Sequence, residues 1–451
     1  MALIRSISGL RGTLGNDLFP HTIARYCIAF HKFLPEGSIV IGRDGRPSGR
    51  WIEEIAAVTL SALGRKVKKI GITPTPTVQV LVEHSNAAGG IAITASHNPA
   101  EWNGLKFLNS SGVFLDKEEN LRLWDILDNR KFDYDPEQSC GDRKDNINAI
   151  NFHIDKVLGS SFINAEYIKT ELKQRNYTIV VDAVNSSGSK TIPNLAGELG
   201  CKIICLHCDE SGNFPHEPEP IPENLGDLSE AVKQNNADMG IAVDPDADRL
   251  VLIDNTGEPI GEEKTIALAV KALLSKSYVR TEKNTVVVNQ STSRMVEDIA
   301  ESLGSEVVRS DVGEINVVKK MKEVGAIIGG EGSGGVILPE CHYGRDSLIG
   351  TALILGYIAE TGKSLKELSE ELPKYEMIKT KMDFSGDLTE IIEKVKSVFS
   401  DGRITEGDGI KVDYPDRWVQ LRASNTEPII RIMAEAPSRE EAQALIDKVE
   451  V

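Results

Sequence analysis

The sequence predicts an α/β protein. It has three similar α/β domains with mixed, mostly parallel sheets plus a C-terminal α+β domain, the four set around a central cleft. Three observations carry this. Runs rich in Val and Ile recur in one order, helical stretches separate them, and every third run empties into a polar loop of unusual composition. Such strands alternating with helices of roughly ten or more residues make parallel βαβ units, covered on both faces.

The first runs of the three copies are "SIVIGRDGRPSG" from Ser38, "YTIVVDAVNSSGS" from Tyr177 and "NTVVVNQSTSR" from Asn284. The second runs follow a glycine: "GRKVKKIGI", "GCKIICLHC" and "GSEVVRSDV". The third runs are "GGIAITASHNP", "ADMGIAVDPDADR" and "GAIIGGEGSGG". Ligands of open α/β sheets bind at the carboxyl ends of strands, so three copies presenting three polar loops predict one site assembled between domains. Expected boundaries are 1–150, 151–254, 255–370 and 371–451. They follow from the polar stretch Arg130–Asn146, the turn "DNTGEPIGEE" and the segment Pro373–Lys381. The last domain breaks the pattern, with a strand pair in "WVQLRASNTEPIIRIMAEA" and a closing helix. It is expected to rotate about the segment near Pro373.

Bulk composition narrows the function. The chain has 451 residues, 40% hydrophobic and 26% charged, with a net charge of -17. A broad basic surface for nucleic acid or anionic membrane is therefore not expected, although a local Arg/Lys cluster still suits a small anion. "MALIRSISGLRG" lacks a signal-peptide core, and no apolar stretch is long enough to span a bilayer, so the cytoplasm is the expected location. Six cysteines do not make a disulfide framework in a chain of this length. Cys201, Cys205 and Cys208 beside His207 match none of the usual zinc spacings, and "CKIICLHC" reads as a buried strand.

The loops carry the chemistry. In "VDPDADRLVLID", Asp244, Asp246 and Asp248 alternate, so an extended segment projects all three carboxylates from one side. Close carboxylates repel, and oxygen coordination of a divalent cation relieves this. An EF-hand fails because Arg249 stands where a glycine is needed and Asn255 where a Glu is needed. An aspartyl phosphatase is disfavoured by Ala247-Asp248-Arg249. Arg249 suits phosphoryl oxygens. "RASNTEPIIR" gathers Arg422, Ser424, Asn425, Thr426 and Arg431 into a phosphate cradle. "GGEGSGG" lacks the end of a P-loop, and Glu331 suits sugar hydroxyls better than phosphate. Ser96, in "ITASHNPAEWNG", is outside any G-x-S-x-G motif. Beside a metal loop it suits phosphoryl transfer.

These motifs, "TASHNP", "DPDADR", "GEGSGG" and "RASNTEP", together resemble the α-D-phosphohexomutases, in that family's order and over nearly the whole chain. "GNFPHEPEP" and "SGLRG", with Arg11, are similar too. The resemblance implies a phosphoserine enzyme that moves a phosphoryl group between the 6- and 1-positions of a hexose phosphate. Ser96 carries the group, and a hexose 1,6-bisphosphate is the intermediate and activator. Mg2+ sits on Asp244, Asp246, Asp248 and the Ser96 phosphate. Glu331 and Ser333 bind the sugar, and Arg345 of "HYGRDSL" reaches the phosphosugar. Arg422, Ser424, Asn425, Thr426 and Arg431 anchor the second phosphate. Lys106, with Arg11 and Arg249 near the transferred group, manages the hydroxyl proton, and His97 is either catalytic or structural. Several bacterial members end the sugar loop in histidine where this chain has Gly335, which leaves Lys106, Arg345 or His342 to compensate. The implied substrate is glucosamine 6-phosphate, giving glucosamine 1-phosphate, with glucose or mannose phosphates as the alternative. A metal-dependent phosphatase and a non-catalytic phosphosugar-binding protein are more distant ones. The expected assembly is a monomer or homodimer.

Overall fold

Three of the four sheets in this computed structural model repeat one plan. The structure describes residues 3–6, 9–129, 139–145, 148–279, 283–383, 388–407, 409–423 and 429–450. In each copy a central strand (Ile39–Arg43, Thr178–Asp182 or Thr285–Asn289) pairs in parallel with a strand on either side. A last strand then returns antiparallel: Trp102–Leu108, Leu250–Ile253 or Gly335–Ile337. The third and last strands of each copy flank the polar loop, so all three loops leave equivalent sheet ends. Central strands such as "TVVVN" are Val-rich and buried because helices cover both faces.

The copies are not identical. The first sheet has seven strands, extended by Ile4–Ser6 and Gly9–Thr13 at one edge and by Arg143–Asp145 at the other. That last strand lies inside the polar stretch expected to be a linker; residues 130–138 and 146 of the stretch lie outside the described residues. The helix Ser347–Thr361, with almost every residue buried, packs in one continuous core with the strands of the second and third sheets. Among the described residues, no helix is long and apolar enough to cross a membrane.

The fourth sheet is wholly antiparallel, in the order Glu376–Asp383, Ile429–Ala436, Trp418–Ala423, Gly409–Asp413, Arg403–Gly407. It has its own core around Phe399, Val419, Ile432 and Leu445, under the helices Leu388–Val398 and Arg439–Glu450.

One expectation fails in the second sheet. Lys202–His207 is an edge strand, not a buried one. Cys205 is exposed, and Cys201 and Cys208 are only partly covered. An apolar run does not say whether a second neighbour pairs with the strand.

Candidate active site

Ser96 follows the strand Gly89–Ile93 and is only 2% exposed. Its φ of +51° is costly for a non-glycine residue. Neighbours hold it there. Its amide donates to Thr94 Oγ1 at 2.8 Å, and Thr94 Oγ1 donates to Asp44 Oδ2 at 2.6 Å. Arg46, wholly buried, pairs with Asp44 at 3.0 Å and donates to the carbonyls of Ser96, Asn98, Pro99 and Trp102. Neither Asp44 nor Arg46 was marked by the sequence. Their loop, "RDGRPSG", looked like an ordinary turn.

The aspartates converge differently from the extended arrangement expected. The strand ends at Val243, and a turn takes over, closed by Ala247 N donating to Asp244 O at 2.9 Å, with Ala247 at φ +49°. Asp248 N and Arg249 N both donate to Asp244 Oδ1. Alternation could not have done this, because pleated neighbours on one face lie too far apart to share an ion. In the turn, one oxygen from each carboxylate lies within 4.8 Å of the others. All three side chains are buried. Among the described residues, no group donates a hydrogen bond to Asp246 Oδ1 or Asp248 Oδ1. This hard-oxygen donor set fits a divalent cation.

The first and second loops meet directly. Ser96 Oγ donates to Asp244 Oδ2 at 2.9 Å. Lys106, on the return strand of the first domain, reaches Asp246 Oδ2 at 2.6 Å and Asp248 Oδ2 at 3.4 Å. Thr75 donates to Asp246 Oδ2 at 2.6 Å. His97 Nδ1 is 3.3 Å from Ser96 Oγ. Arg11 donates to Asn98 Oδ1 at 3.1 Å, and Arg249 faces Glu219 at 3.6 Å.

Charges shape the protonation. Burial, Asp248 and Asp246 push the Asp244 carboxyl well above the usual range. Burial also penalises Asp246, but Lys106 and Thr75 outweigh it and hold that carboxyl low. Burial pulls Lys106 down, yet Asp246 and Asp248 leave it above its ordinary value, so its resting form is the ammonium. Arg249, burial and Arg11 drive His97 well below its ordinary value, so it rests neutral.

The third loop joins through Arg345. Its guanidinium reaches Asp248 at 2.6 Å, Glu331 at 2.8 Å and Glu314 at 3.1 Å. Glu331 also accepts from Asn289 Nδ2 and Gly313 N. Leu250 N donates to Gly334 O at 3.0 Å, tying this loop to the metal loop, and Ser333 sits half-buried at its tip. A Cβ at Gly335 would lie 2.3 Å from Arg345 Cδ, so the space a histidine would need there is filled by Arg345. His342 is elsewhere, bonded to Asp346 at 3.1 Å in a buried cluster with His153. Glu314 and Thr75 had no motif to reveal them.

In the fourth domain Arg422 and Arg431 stand directly opposite each other on paired strands. Ser424, Asn425 and Thr426 lie outside the described residues.

The comparisons cover the whole chain. Residues 3–134, 153–257 and 262–375 match the phosphoglucomutase/phosphomannomutase alpha/beta/alpha domains I, II and III, and residues 377–450 match the C-terminal domain of that family. A "Phosphoglucomutase/phosphomannomutase" of Thermococcus kodakarensis is 38% identical over 448 residues, covering 97% of this chain and 96% of the relative. A "Probable phosphoglucosamine mutase" of Methanopyrus kandleri is 33% identical over 447 residues, covering 98% and 95%. The crystal structure of a phosphoglucomutase/phosphomannomutase family protein from Burkholderia thailandensis superposes with a TM-score of 0.84 at 26% identity, covering 99% of this chain and 96% of that one. With its four domains in order and its polar loops gathered at one junction, the chain belongs to the phosphoglucomutase/phosphomannomutase family, a phosphohexomutase that transfers a phosphoryl group within a sugar.

Proposed function

We propose that this enzyme interconverts hexose 6- and 1-phosphates through a phosphoryl group carried on Ser96, with glucosamine phosphate as substrate. The carrying observation is the 2.9 Å contact between Ser96 Oγ and Asp244 in a buried junction of three loops. A Mg2+ ion held by Asp244, Asp246 and Asp248 would neutralise phosphoryl charge.

A hydroxyl oxygen of the bound sugar phosphate attacks the phosphorus on Ser96. The new P–O bond forms as the bond to Ser96 Oγ breaks, giving a 1,6-bisphosphate. After the bisphosphate turns over in the cleft, Ser96 Oγ takes the other phosphoryl group back. Lys106 manages the hydroxyl proton. As an ammonium it can only donate; it can accept once Asp246 and Asp248 are engaged elsewhere, because those two charges hold its proton. Neutral His97 orients Ser96 Oγ. Arg11 and Arg249 flank the transferred group, and Arg345 positions Glu331 toward the sugar and balances Asp248. Arg422 and Arg431, with Ser424, Asn425 and Thr426, grip the phosphate that does not react.

Glucosamine rests on the resemblance of the serine and sugar loops and on the relative named as a phosphoglucosamine mutase. Glucose or mannose phosphates are the second reading, favoured by the 38% identical relative. Turnover on the three sugar phosphates, under identical conditions with Mg2+ and a bisphosphate activator, decides between them. Glucosamine 6-phosphate should give the highest kcat/KM, and a preference for mannose or glucose would reverse the assignment. Intact-mass mapping after reaction should place the phosphoryl group on Ser96. Its appearance on Asp244, with full turnover by Ser96→Ala, would sink the mechanism.

A further inference from the structure

A second cluster of metal-ligating side chains lies in the second domain, outside the phosphoryl site. Asp182 ends the central strand Thr178–Asp182, His207 ends the edge strand beside it, and His216 comes from the segment that follows. His207 Nδ1 and His216 Nε2 each lie 3.0 Å from the same oxygen, Asp182 Oδ2. We propose that Asp182, His207 and His216 form a site for a transition-metal ion of the Zn2+ class, distinct from the hard-cation site of the aspartate loop.

The hydrogen bond on the far side of the His216 ring carries the inference, beside the shared Asp182 oxygen. His216 Nδ1 is 2.8 Å from the carbonyl oxygen of Glu217, which can only accept, so Nδ1 bears the hydrogen. That leaves Nε2 to face a carboxylate oxygen. Either His216 is an imidazolium or its Nε2 lone pair is offered to a cation at that point. His207 turns Nδ1 to Asp182, and its Nε2 lies 3.9 Å from the exposed Asp227, beyond hydrogen-bond reach. A ligating histidine commonly has a partner such as the Glu217 carbonyl behind its other nitrogen. Asp182 Oδ1 is itself fixed, accepting from Val184 N at 2.9 Å.

Distances and access agree. Two bonds of about 2.0–2.1 Å at a tetrahedral angle put ligand atoms roughly 3.3 Å apart, a small adjustment from the 3.0 Å present. Asp182 is buried, while each histidine side chain is 17% exposed, which leaves a route from solvent and a position for water. The cluster of His153, His342 and Asp346 has the same residue types but is wholly buried, and so lacks that route. Metal entry releases the Nε2 proton of His216 to solvent, leaving Nδ1–H on the Glu217 carbonyl, and the proton on His207 Nδ1 is given up to solvent or moves to Nε2. Binding should therefore weaken as pH falls.

The site would have a consequence for the serine loop. The segment between His207 and His216 crosses to the first domain, where Gly212, at φ +68°, approaches Gly45 so closely that a Cβ would lie 2.0 Å from its carbonyl oxygen. Phe214 lies under the Arg46 guanidinium at 4.9 Å, and Arg46 holds the carbonyls of the Ser96 loop. A metal at His207 and His216 would pin both ends of this strap.

The test is calorimetric titration of the full-length protein with Zn2+ in excess Mg2+, repeated with Co2+ to read its visible absorption. Wild type should take up one equivalent of Zn2+, and the Co2+ form should show the bands of a low-coordinate nitrogen and oxygen site. D244N/D248N should keep that equivalent, and H207Q/H216Q should lose it. His216→Gln alone, which removes one partly exposed ligand, should weaken it at least about tenfold and serves if the double histidine variant does not fold. Zinc retained by H207Q/H216Q, zinc lost from D244N/D248N, or no zinc bound by wild type would each overturn the proposal.

Discussion

The junction of the first three domains and the attachment of the fourth are built on opposite principles. At the junction, Lys106, Asp244, Asp246 and Asp248 are buried, Arg345 is mostly covered, and they are bonded across domain boundaries. The fourth domain meets the third along a seam that is part buried and part exposed: Glu435 and Gln420 are buried, Lys379 is not. Ser291 donates to Gln420 at 2.6 Å, Arg294 N to Glu435 at 2.8 Å, and the half-exposed Lys379 pairs with Glu262 at 2.5 Å and Glu263 at 3.1 Å. Among the described residues the fourth domain's apolar cluster is its own. Buried charge networks resist displacement because each partner left behind is a desolvated ion, whereas the exposed pairs of Lys379 break at little cost. On the proposed reading the reacting groups are held still, and the expected rotation of the fourth domain would break the exposed pairs first.

Four experiments press on that contrast. Ser96→Ala should abolish the phosphoryl label and cut turnover by about 10^4-fold or more, with folding intact by circular dichroism. Retained turnover would mean the junction is not where chemistry happens. Lys106→Met should lower kcat by roughly 10^2- to 10^4-fold, with a smaller effect on KM. Arg422→Ala should weaken every phosphosugar alike, by roughly 10- to 100-fold. A loss that depends on the sugar would show that the fourth domain reads more than phosphate. Small-angle scattering should show contraction on adding a sugar phosphate, and identical profiles would remove the mobile half of the comparison.

The smallest effect is a pH dependence inside the junction. Burial, against the opposing pull of Arg345, lifts the Glu314 carboxyl from 4.5 to about 7. Between those values the folded chain keeps a proton that the unfolded chain has released. This group's contribution to stability therefore declines as pH rises from about 4.5 to about 7. Chemical denaturation of Glu314→Gln across that range should lack this decline. A variant with the wild-type slope would assign the decline to other groups.

Much of this was legible in the chain. Val- and Ile-rich runs with glycine between them gave the strands, and the third runs gave the loops, because composition and spacing are local properties. Convergence of the aspartates was read correctly but for the wrong reason, since a turn at Ala247 and not strand alternation gathers them. Arg46 and Asp44 went unnoticed because their partners are some fifty residues away. "CKIICLHC" was misjudged because periodicity cannot tell an edge strand from a central one. His207 in that segment meets Asp182 and His216 only through the fold.

Gly335 and Arg345 constrain how this sequence can change. A side chain at 335 collides with the Cδ, Cγ and Cβ of Arg345, and Arg345 cannot swing aside while three carboxylates hold its guanidinium. Removing Arg345 first strands Asp248, Glu314 and Glu331 without their shared counter-charge. Each single step toward a histidine-bearing loop is thus harmful alone, and only the paired replacement is passable. The two positions should behave as one epistatic unit, with Gly335→His tolerated only on a background that has already lost the arginine.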